Sequence, residues 1–274
     1  MKNLTTRLIS GIIYVAIIIG AVIMGGWWME GLIVLLLFGA VTEVFNLLSP
    51  LRGAEPARLA ARTLDYLTAL SFVFLYGPLG VMTFTEMAVL LMFYMSVRVV
   101  MALADRGGDA LETFRTSLLA VLYPSLGLTA LGVMYYSFGD MGRMTVLAMF
   151  ILIWLNDTGA YCVGSTLGRH RLCERLSPKK SWEGFWGGFA FCVLAGAGFS
   201  FIGAFGFFSL WQWILVGAWI SVWATWGDLF ESLIKRSVGA KDAGHIIPGH
   251  GGVLDRIDSL LLVAPTLLAL MMIL

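Results

Sequence analysis

Residues 232–258 hold the densest group of reactive side chains in the chain. The stretch contains three carboxylates, four cationic side chains, two histidines and a glycine-rich turn. Carboxylate oxygens are ligands that Mg²⁺ prefers, while cationic side chains and closely approaching glycine backbone suit phosphate oxygens. These residue types together predict a site for a metal-bound polyphosphate. The charged members are Asp242, Asp255, Asp258, Lys235, Arg236, Lys241 and Arg256.

Helical spacing adds a carboxylate to this group. Asp228 lies near the end of an apolar segment, where it shares a helix face with Lys235 and with either Glu231 or Ser232. We predict that Asp228 and Asp255 come together and, with water and phosphate oxygens, form a Mg²⁺ site.

Asp255 and Asp258 share a face at the start of the next apolar segment. Helix capping is the alternative for both, because the positive end of a helix stabilises carboxylates, and Asp258 is the better placed for it. We expect Lys235 and Arg236 to serve the site, since an intramembrane acid implies a counter-ion. Their alternative is an ordinary basic pair at the cytoplasmic surface. The turn that contains His250 favours a hydrogen bond to phosphate or to the loop backbone over a transition-metal site.

A second polar group comes earlier in the chain. Asp157 stands inside an apolar segment, so we expect it to face a wet cavity, a cation or a basic partner. Lys179 and Lys180 are expected to neutralise phosphate charge, with Ser177 or Ser181 as hydroxyl donors, and Ser181 also suits a helix cap. The alternatives are a structural ion pair for the aspartate and an ordinary basic loop for the lysines.

Helices that cross a membrane must position these residues. Of the 274 residues 59% are hydrophobic and 13% are charged, against about a quarter charged in soluble domains. Apolar segments near the spanning length of about 20 residues recur along the chain. We predict an all-α, polytopic membrane helix bundle with nine transmembrane helices, at residues 8–24, 27–48, 60–76, 79–97, 118–136, 144–163, 184–204, 211–229 and 258–274.

The basic residues predict the orientation. With the N-terminus in the cytoplasm and the C-terminus outside, every Lys and Arg except Arg143 falls on the cytoplasmic side, where positive charge in short loops is retained. The first segment follows Lys2 and Arg7 as a signal peptide would, but its long apolar run predicts an uncleaved helix. The expected location is the inner (plasma) membrane, multi-pass, with the active site on the cytoplasmic face.

We expect a single membrane domain with two regions. Residues 1–143 are predicted to be a transmembrane scaffold of five helices. Residues 144–274 are predicted to be the catalytic region of four helices, with cytoplasmic loops at 164–183 and 230–257.

The remaining features of the sequence give weaker indications of function. Glu43 and Glu86 lie in or near apolar stretches, and such carboxylates are functional candidates. The reading we favour is that each lies near a helix end and reaches water or a partner. The three cysteines show no C-x-x-C spacing and do not indicate a disulfide or zinc framework. The net charge of +1 implies no nucleic-acid partner.

The 232–258 stretch resembles the signature of the phosphatidate cytidylyltransferase family, also called CDP-diacylglycerol synthases. Segments Asp157–Tyr161 and Ser177–Gly184 are similar to two further elements of that family, so the resemblance is close over residues 150–260. Ser165 departs from it, since relatives commonly carry a basic residue there. The signature positions that match are Ser232, Lys235, Arg236, Lys241, Asp242, Gly244, Ile247, Pro248, His250, Gly251, Gly252, Asp255, Arg256 and Asp258.

This resemblance implies transfer of a cytidylyl group from CTP to phosphatidic acid, which yields CDP-diacylglycerol and pyrophosphate. It also implies Mg²⁺, K⁺ as a second cation, and a homodimer. Because the lipid phosphate is already ionised, we expect positioning and charge neutralisation to matter more than a general base. The residues expected to be catalytic are Asp228, Lys235, Arg236, Asp255 and Asp258, and those expected to bind substrate phosphates are Asp157, Ser177, Lys179, Lys180, Ser232, Lys241, His250, Gly251, Gly252 and Arg256.

Two other functions are open on sequence grounds. A CTP-dependent polyprenol or phytol kinase would share the membrane bundle and the nucleotide but phosphorylate an alcohol. An ion or phosphate transporter would explain intramembrane acids, but transporters usually carry internal repeats and midplane sites. A CDP-alcohol phosphotransferase is disfavoured because its D-G-x-x-A-R pattern is absent.

Overall fold

The computed structural model describes residues 2–48, 56–105, 110–244 and 251–274. Over these residues the chain forms nine α-helices, three short 3₁₀ turns and one β-hairpin. The helices are α1 (Lys2–Met24), α2 (Gly26–Leu48), α3 (Pro56–Ser71), α4 (Phe84–Ala104), α5 (Ala110–Ser137), α6 (Gly139–Leu167), α7 (Trp182–Phe199), α8 (Leu210–Ser237) and α9 (Leu254–Met271).

Each predicted apolar segment overlaps one of these helices, so the all-α membrane fold is confirmed. Helices α2, α4, α5, α6 and α8 are long and apolar enough to cross a membrane, and residues 9–24 of α1 form a shorter apolar helix. The chain is a multi-pass membrane protein. Its number of spans and its orientation stay predictions.

Two segments predicted as loops contain regular structure. Helix α6 continues through Leu167, and an antiparallel hairpin of β1 (Arg171–Cys173) and β2 (Ser177–Ser181) follows it. Helix α8 continues through Ser237, with two basic residues in its last turn that favour the negative end of the helix dipole. The helices extend past the predicted apolar segments because hydropathy marks where a helix becomes polar, whereas its backbone hydrogen bonds continue past that point.

The chain forms two compact units. The first comprises Met1–Val133 and Asp242–Arg256, and the second comprises Met134–Lys241 and Ile257–Leu274. The polar stretch 232–258 therefore contributes residues to both units. The assignment of scaffold and catalytic roles to residues 1–143 and 144–274 stays a prediction.

Glycines let α6, α7 and α8 pack closely in the second unit. A Cβ on Gly187 would lie 2.5 Å from the Val163 side chain, and one on Gly217 would lie 2.4 Å from the carbonyl oxygen of Cys192. Small residues allow such backbone approach between membrane helices. This packing lets Ser221 on α8 donate a 2.7 Å hydrogen bond to Oδ1 of Asn156 on α6.

A buried polar network joins α3, α4 and α5 in the first unit. Asp65 accepts hydrogen bonds from Tyr94 (2.8 Å) and Ser117 (2.9 Å), and its Oδ1 lies 3.6 Å from Nε of Arg98. Asp65 and Arg98 are 1% and 3% exposed. The sequence reading placed Arg98 in a cytoplasmic loop, but it lies inside α4, where Asp65 supplies the counter-charge that makes its burial affordable.

The network predicts a large stability cost for Arg98→Met. This change leaves the Asp65 carboxylate buried without its cation, so we expect a loss of about 3–5 kcal/mol, measured as a lower Tm in detergent. Arg115→Met is the control, because it breaks only the exposed Arg115–Glu112 pair and should cost about 1 kcal/mol or less. Equal Tm values for the two variants would contradict the role assigned to the network.

Candidate functional site

A cavity of about 600 Å³ opens in the second unit. Its walls come from the C-terminal half of α6, the β-hairpin, the first turn of α7 and the C-terminal half of α8. Acidic and basic groups both line it, which suits a ligand with phosphates and a bound cation. The lining side chains predicted from sequence are Asp157, Lys179, Lys180, Ser181 and Asp228, and Asn156, Tyr161, Ser165, Arg171 and Thr225 also contribute.

Glycines on α6 and α7 shape this cavity. A Cβ on Gly164 would lie 3.3 Å from the Cα of Gly184, and a Cβ on Gly188 would lie 2.6 Å from Oδ1 of Asn156. The helices therefore approach through backbone, and Asp157 is exposed beside them. The expectation that Asp157 faces a cavity is confirmed by its place in the lining.

The hairpin is fixed to α7 by two side chains at the helix start. Ser181 caps α7 by accepting a 3.1 Å hydrogen bond from the Gly184 amide, as its sequence position suggested. Glu183 accepts the Arg169 amide at 3.0 Å and the His170 amide at 3.2 Å, and its Oε1 lies 2.6 Å from Nδ1 of His170. The His170 contact, aided by these backbone donors, lowers the pKa of Glu183 to about 2.

An ion pair joins the hairpin to α8. Nζ of Lys180 contacts Oδ2 of Asp228, and both side chains are about one-third exposed or less. Lys179, on the same strand, is exposed and lines the cavity. The two lysines predicted to neutralise phosphate thus lie at the cavity together with the predicted metal-binding acid.

Three carboxylates gather at the end of α8. Oxygens of Asp228, Glu231 and Asp258 lie within 4.8 Å of one another, the one such cluster found among the residues that the structure describes. Gly227 permits this approach, because a Cβ there would lie 2.7 Å from the carbonyl oxygen of Asp258. Ser259 donates a 3.1 Å hydrogen bond to the Ala224 carbonyl and fixes the register of the two helices.

This donor set fits a hard divalent cation. All three side chains offer carboxylate oxygens, which Mg²⁺ prefers, and its usual shell combines one or two protein carboxylates with water and substrate phosphates. Glu231 also pairs with Lys235, one helical turn later, so the cluster contains a cation of its own. Sequence spacing had named Glu231 only as an alternative to Ser232, whose hydroxyl lies 3.5 Å from Oδ1 of Asp228.

Asp255 belongs to the first unit and makes loop contacts there. Its Oδ2 accepts hydrogen bonds from the amides of Gly252 (2.8 Å) and Ala243 (3.0 Å). Capping-type contacts were expected more for Asp258, but α9 begins at Leu254, four residues before the predicted start, and this puts Asp255 in the first turn. The Asp228–Asp255 metal pair stays a prediction.

Other predicted site residues have varied surroundings. Nε and Nη1 of Arg236 donate to the carbonyls of Leu176 (3.3 Å) and Ala240 (2.7 Å), so this side chain holds loop backbone. Lys241 and Arg256 are exposed, and Ser177 begins β2. Gly251 has a φ of +83°, which explains its residue type. His250 lies outside the described residues.

One carboxylate in the first unit has partners that the sequence could not identify. Glu43 is buried on α2, and its oxygens accept the amides of Val253 (2.8 Å) and Leu254 (2.7 Å). The favoured reading, a position near a helix end with water or a partner within reach, suits Glu43, which lies near the end of α2 and has these two amides as partners. It also suits Glu86, whose exposed side chain forms a capping box with Thr83 at the start of α4.

Comparisons with known proteins point to one family. Residues 5–274 match the model of a family described as the cytidylyltransferase family. The chain is 40% identical over 144 residues to a protein named phosphatidate cytidylyltransferase from Staphylococcus haemolyticus (strain JCSC1435), a match that covers 52% of this chain and 55% of that protein. It is also 40% identical over 153 residues to the Staphylococcus aureus (strain COL) protein of that name, covering 55% of this chain and 56% of the relative. The matched region thus spans about half the length of these curated relatives.

The contacts of Glu183 predict how the hairpin responds to trypsin. Its depressed pKa means that the contact is complete above the ordinary carboxyl value of 4.5 and is lost only as pH falls through about 2. At neutral pH, Glu183→Gln should therefore speed cleavage at the hairpin arginines, because it weakens the hold on the Arg169 and His170 amides. Glu174→Gln, an exposed change in the same hairpin, is the control, and equal cleavage rates for both variants would contradict this role.

Proposed function

The chain belongs to the cytidylyltransferase family, and on that premise we propose that it transfers a cytidylyl group from CTP to phosphatidic acid. The products are CDP-diacylglycerol and pyrophosphate. The observation that carries the proposal is the cavity that places Lys179, Lys180 and Asp228 together at the end of apolar helices. The names of the curated relatives support it.

The proposed chemistry needs positioning and charge neutralisation. An ionised phosphate oxygen of the lipid attacks the α-phosphorus of CTP, a P–O bond forms, and the bond to the β-phosphate breaks to release pyrophosphate. No proton has to leave the nucleophile, so no general base is required. Lys179, Lys180 and Arg171 line the cavity and can pair with phosphate oxygens.

We propose that Asp228, Glu231 and Asp258 hold Mg²⁺, because their oxygens form a hard-ligand cluster. A bound Mg²⁺ supplies charge neutralisation for the triphosphate and its pyrophosphate leaving group. Lys180 pairs with Asp228 and also lines the cavity. It therefore connects the carboxylate cluster to the phosphate-binding surface. A second cation, K⁺, is part of the proposal on family resemblance.

The setting follows from the two substrates. Phosphatidic acid is held in a bilayer, and CTP is a cytosolic nucleotide, so we propose the inner (plasma) membrane with the active site on the cytoplasmic face. Asp228 and Glu231 lie on the long apolar helix α8, in the half that ends with Lys235 and Arg236. Because basic residues are retained on the cytoplasmic side, this supports an active site on that face. We also propose that the protein acts as a homodimer.

The reaction can be tested with purified protein in detergent. Labelled CTP and Mg²⁺ should give pyrophosphate and a labelled CDP-lipid with phosphatidic acid, and no product with a long-chain alcohol. Release of CDP together with a phosphorylated alcohol would instead establish the kinase. Absence of turnover with both phosphatidic acid and the alcohol would contradict the proposed function.

The carboxylate cluster gives a sharper prediction. Asp228→Asn, Glu231→Gln and Asp258→Asn should each lower kcat at least about 100-fold and raise the Mg²⁺ concentration needed for half-maximal rate, since changes even to partners of metal ligands commonly cost about 10- to 100-fold. Asp140→Asn, an exposed change near the start of α6, is the matched control.

Asp255→Asn separates the two metal-site hypotheses. A strong shift in Mg²⁺ dependence for this variant, with a normal dependence for Glu231→Gln and Asp258→Asn, would favour the Asp228–Asp255 pair. The opposite pattern would favour the cluster.

A further inference from the structure

Glu43 connects helix α2 to a loop that lies 210 residues later in the chain. Its Oε1 accepts the Val253 amide at 2.8 Å, and its Oε2 accepts the Leu254 amide at 2.7 Å. The side chain is 3% exposed. Both residue groups belong to the first unit, so the contact lies within one compact body.

The contact requires a carboxylate. A buried carboxylate is costly unless donors surround its oxygens, and here each oxygen faces one amide at the start of α9, where the positive helix end adds stabilisation. An amide side chain would keep one acceptor and turn an NH₂ group towards the other backbone N–H. An alanine would leave two buried amides without their acceptor.

The glycines of the loop fit the same carboxylate. A Cβ on Gly252 would lie 2.4 Å from both oxygens of Glu43, and a Cβ on Gly244 would lie 2.5 Å from Oε1. The nearest atoms to both positions all belong to Glu43. Neither glycine has a positive φ. Glycine therefore occurs at these two positions because a side chain would clash with Glu43. The backbone conformation does not require it.

Asp255 fixes the same loop through its other backbone donors. Its Oδ2 accepts the amides of Ala243 and Gly252, while Glu43 accepts the two amides that follow Gly252. Two carboxylates thus hold four backbone donors, those of Ala243, Gly252, Val253 and Leu254. A shift of Glu43 would move the backbone that carries Gly252 and Asp255.

We propose that Glu43 is a positioning residue for cytidylyl transfer. It keeps the loop that bears Gly251, Gly252 and Asp255 in the geometry needed for reaction, and does so through backbone amides without touching the reactants. This inference rests on the proposed function and on the phosphate-binding role that the family resemblance implies for Gly251 and Gly252. The rate of cytidylyl transfer would then depend on Glu43, a residue of the predicted scaffold region that lies far from the signature in sequence.

The first test compares Glu43→Gln with Glu86→Gln. Both changes remove one carboxylate near an apolar helix, but Glu86 lies in an exposed capping box. With CTP, Mg²⁺ and phosphatidic acid, Glu43→Gln should lower kcat about 10- to 100-fold, since small misplacements of reacting groups have costs of that order. Its KM for CTP should change much less, and a cooperative thermal unfolding transition in detergent should confirm that the variant is folded. Glu86→Gln should keep the wild-type kcat, and a wild-type kcat for Glu43→Gln would overturn the proposal.

The second test is a double-mutant cycle between Glu43→Ala and Gly244→Ala. In the wild-type background Gly244→Ala should lower both Tm and kcat, because its methyl group meets the Glu43 carboxylate. In the Glu43→Ala background the same change should cost nothing further, since the atoms that oppose it are gone. Additive losses would show that the contact does not control the loop and would overturn the proposal.

The outcomes separate this inference from the function on which it rests. Wild-type protein that makes no CDP-lipid would remove the proposed function, while the Tm cycle would still report on the contact. Wild-type turnover with unaffected Glu43→Gln would remove only the positioning role. If Glu43→Gln does not fold, Gly244→Ala decides the matter, because wild-type kcat in that variant would equally contradict the proposal.

Discussion

Charged groups within apolar helices must find their partners inside the protein, because a bilayer interior supplies neither water nor counter-ions. Asp65 meets this requirement through Arg98 and two hydroxyl donors, and Glu43 meets it through two backbone amides. Glu231 pairs with Lys235 one helical turn away. The first two pairings join separate elements, so each one specifies which helix faces meet. The packing of the first unit depends on them.

Close approach of helices is the second condition for the site. Gly187 and Gly217 let α6, α7 and α8 meet through backbone, and Gly227 lets the carbonyl of Asp258 approach α8. Because these positions lack side chains, the polar ends of the helices converge on one cavity and one carboxylate cluster. The hairpin then adds its lysines from the side of β2. The proposed site thus depends on glycines that allow close helix packing as well as on its charged side chains.

Sequence patterns found most of the chemically important side chains but not all of their partners. Asp157, Lys179, Lys180 and Asp228 were predicted to serve one site, and all four line the cavity. Within the second unit, the carboxylates beside Asp228 are those of Glu231 and Asp258, while its pairing with Asp255 stays a prediction. Helical spacing had already placed Glu231 near Asp228, but it could not separate Glu231 from Ser232. That choice depends on the rotation of α8 against its neighbours, which spacing along one helix does not specify.

The amino-acid sequence by itself determined the membrane class, the apolar segments that become helices, the family and the residue types of the site. These properties depend on composition, local periodicity and short motifs, all of which are contiguous in the chain. Tertiary structure alone decided that Arg98 lies inside the first unit beside Asp65, that Glu43 holds the start of α9, and that Asp258 joins the α8 carboxylates. Each of these contacts joins residues far apart in sequence. Their formation depends on helix ends, rotation and close packing, and no local pattern records how separate helices meet.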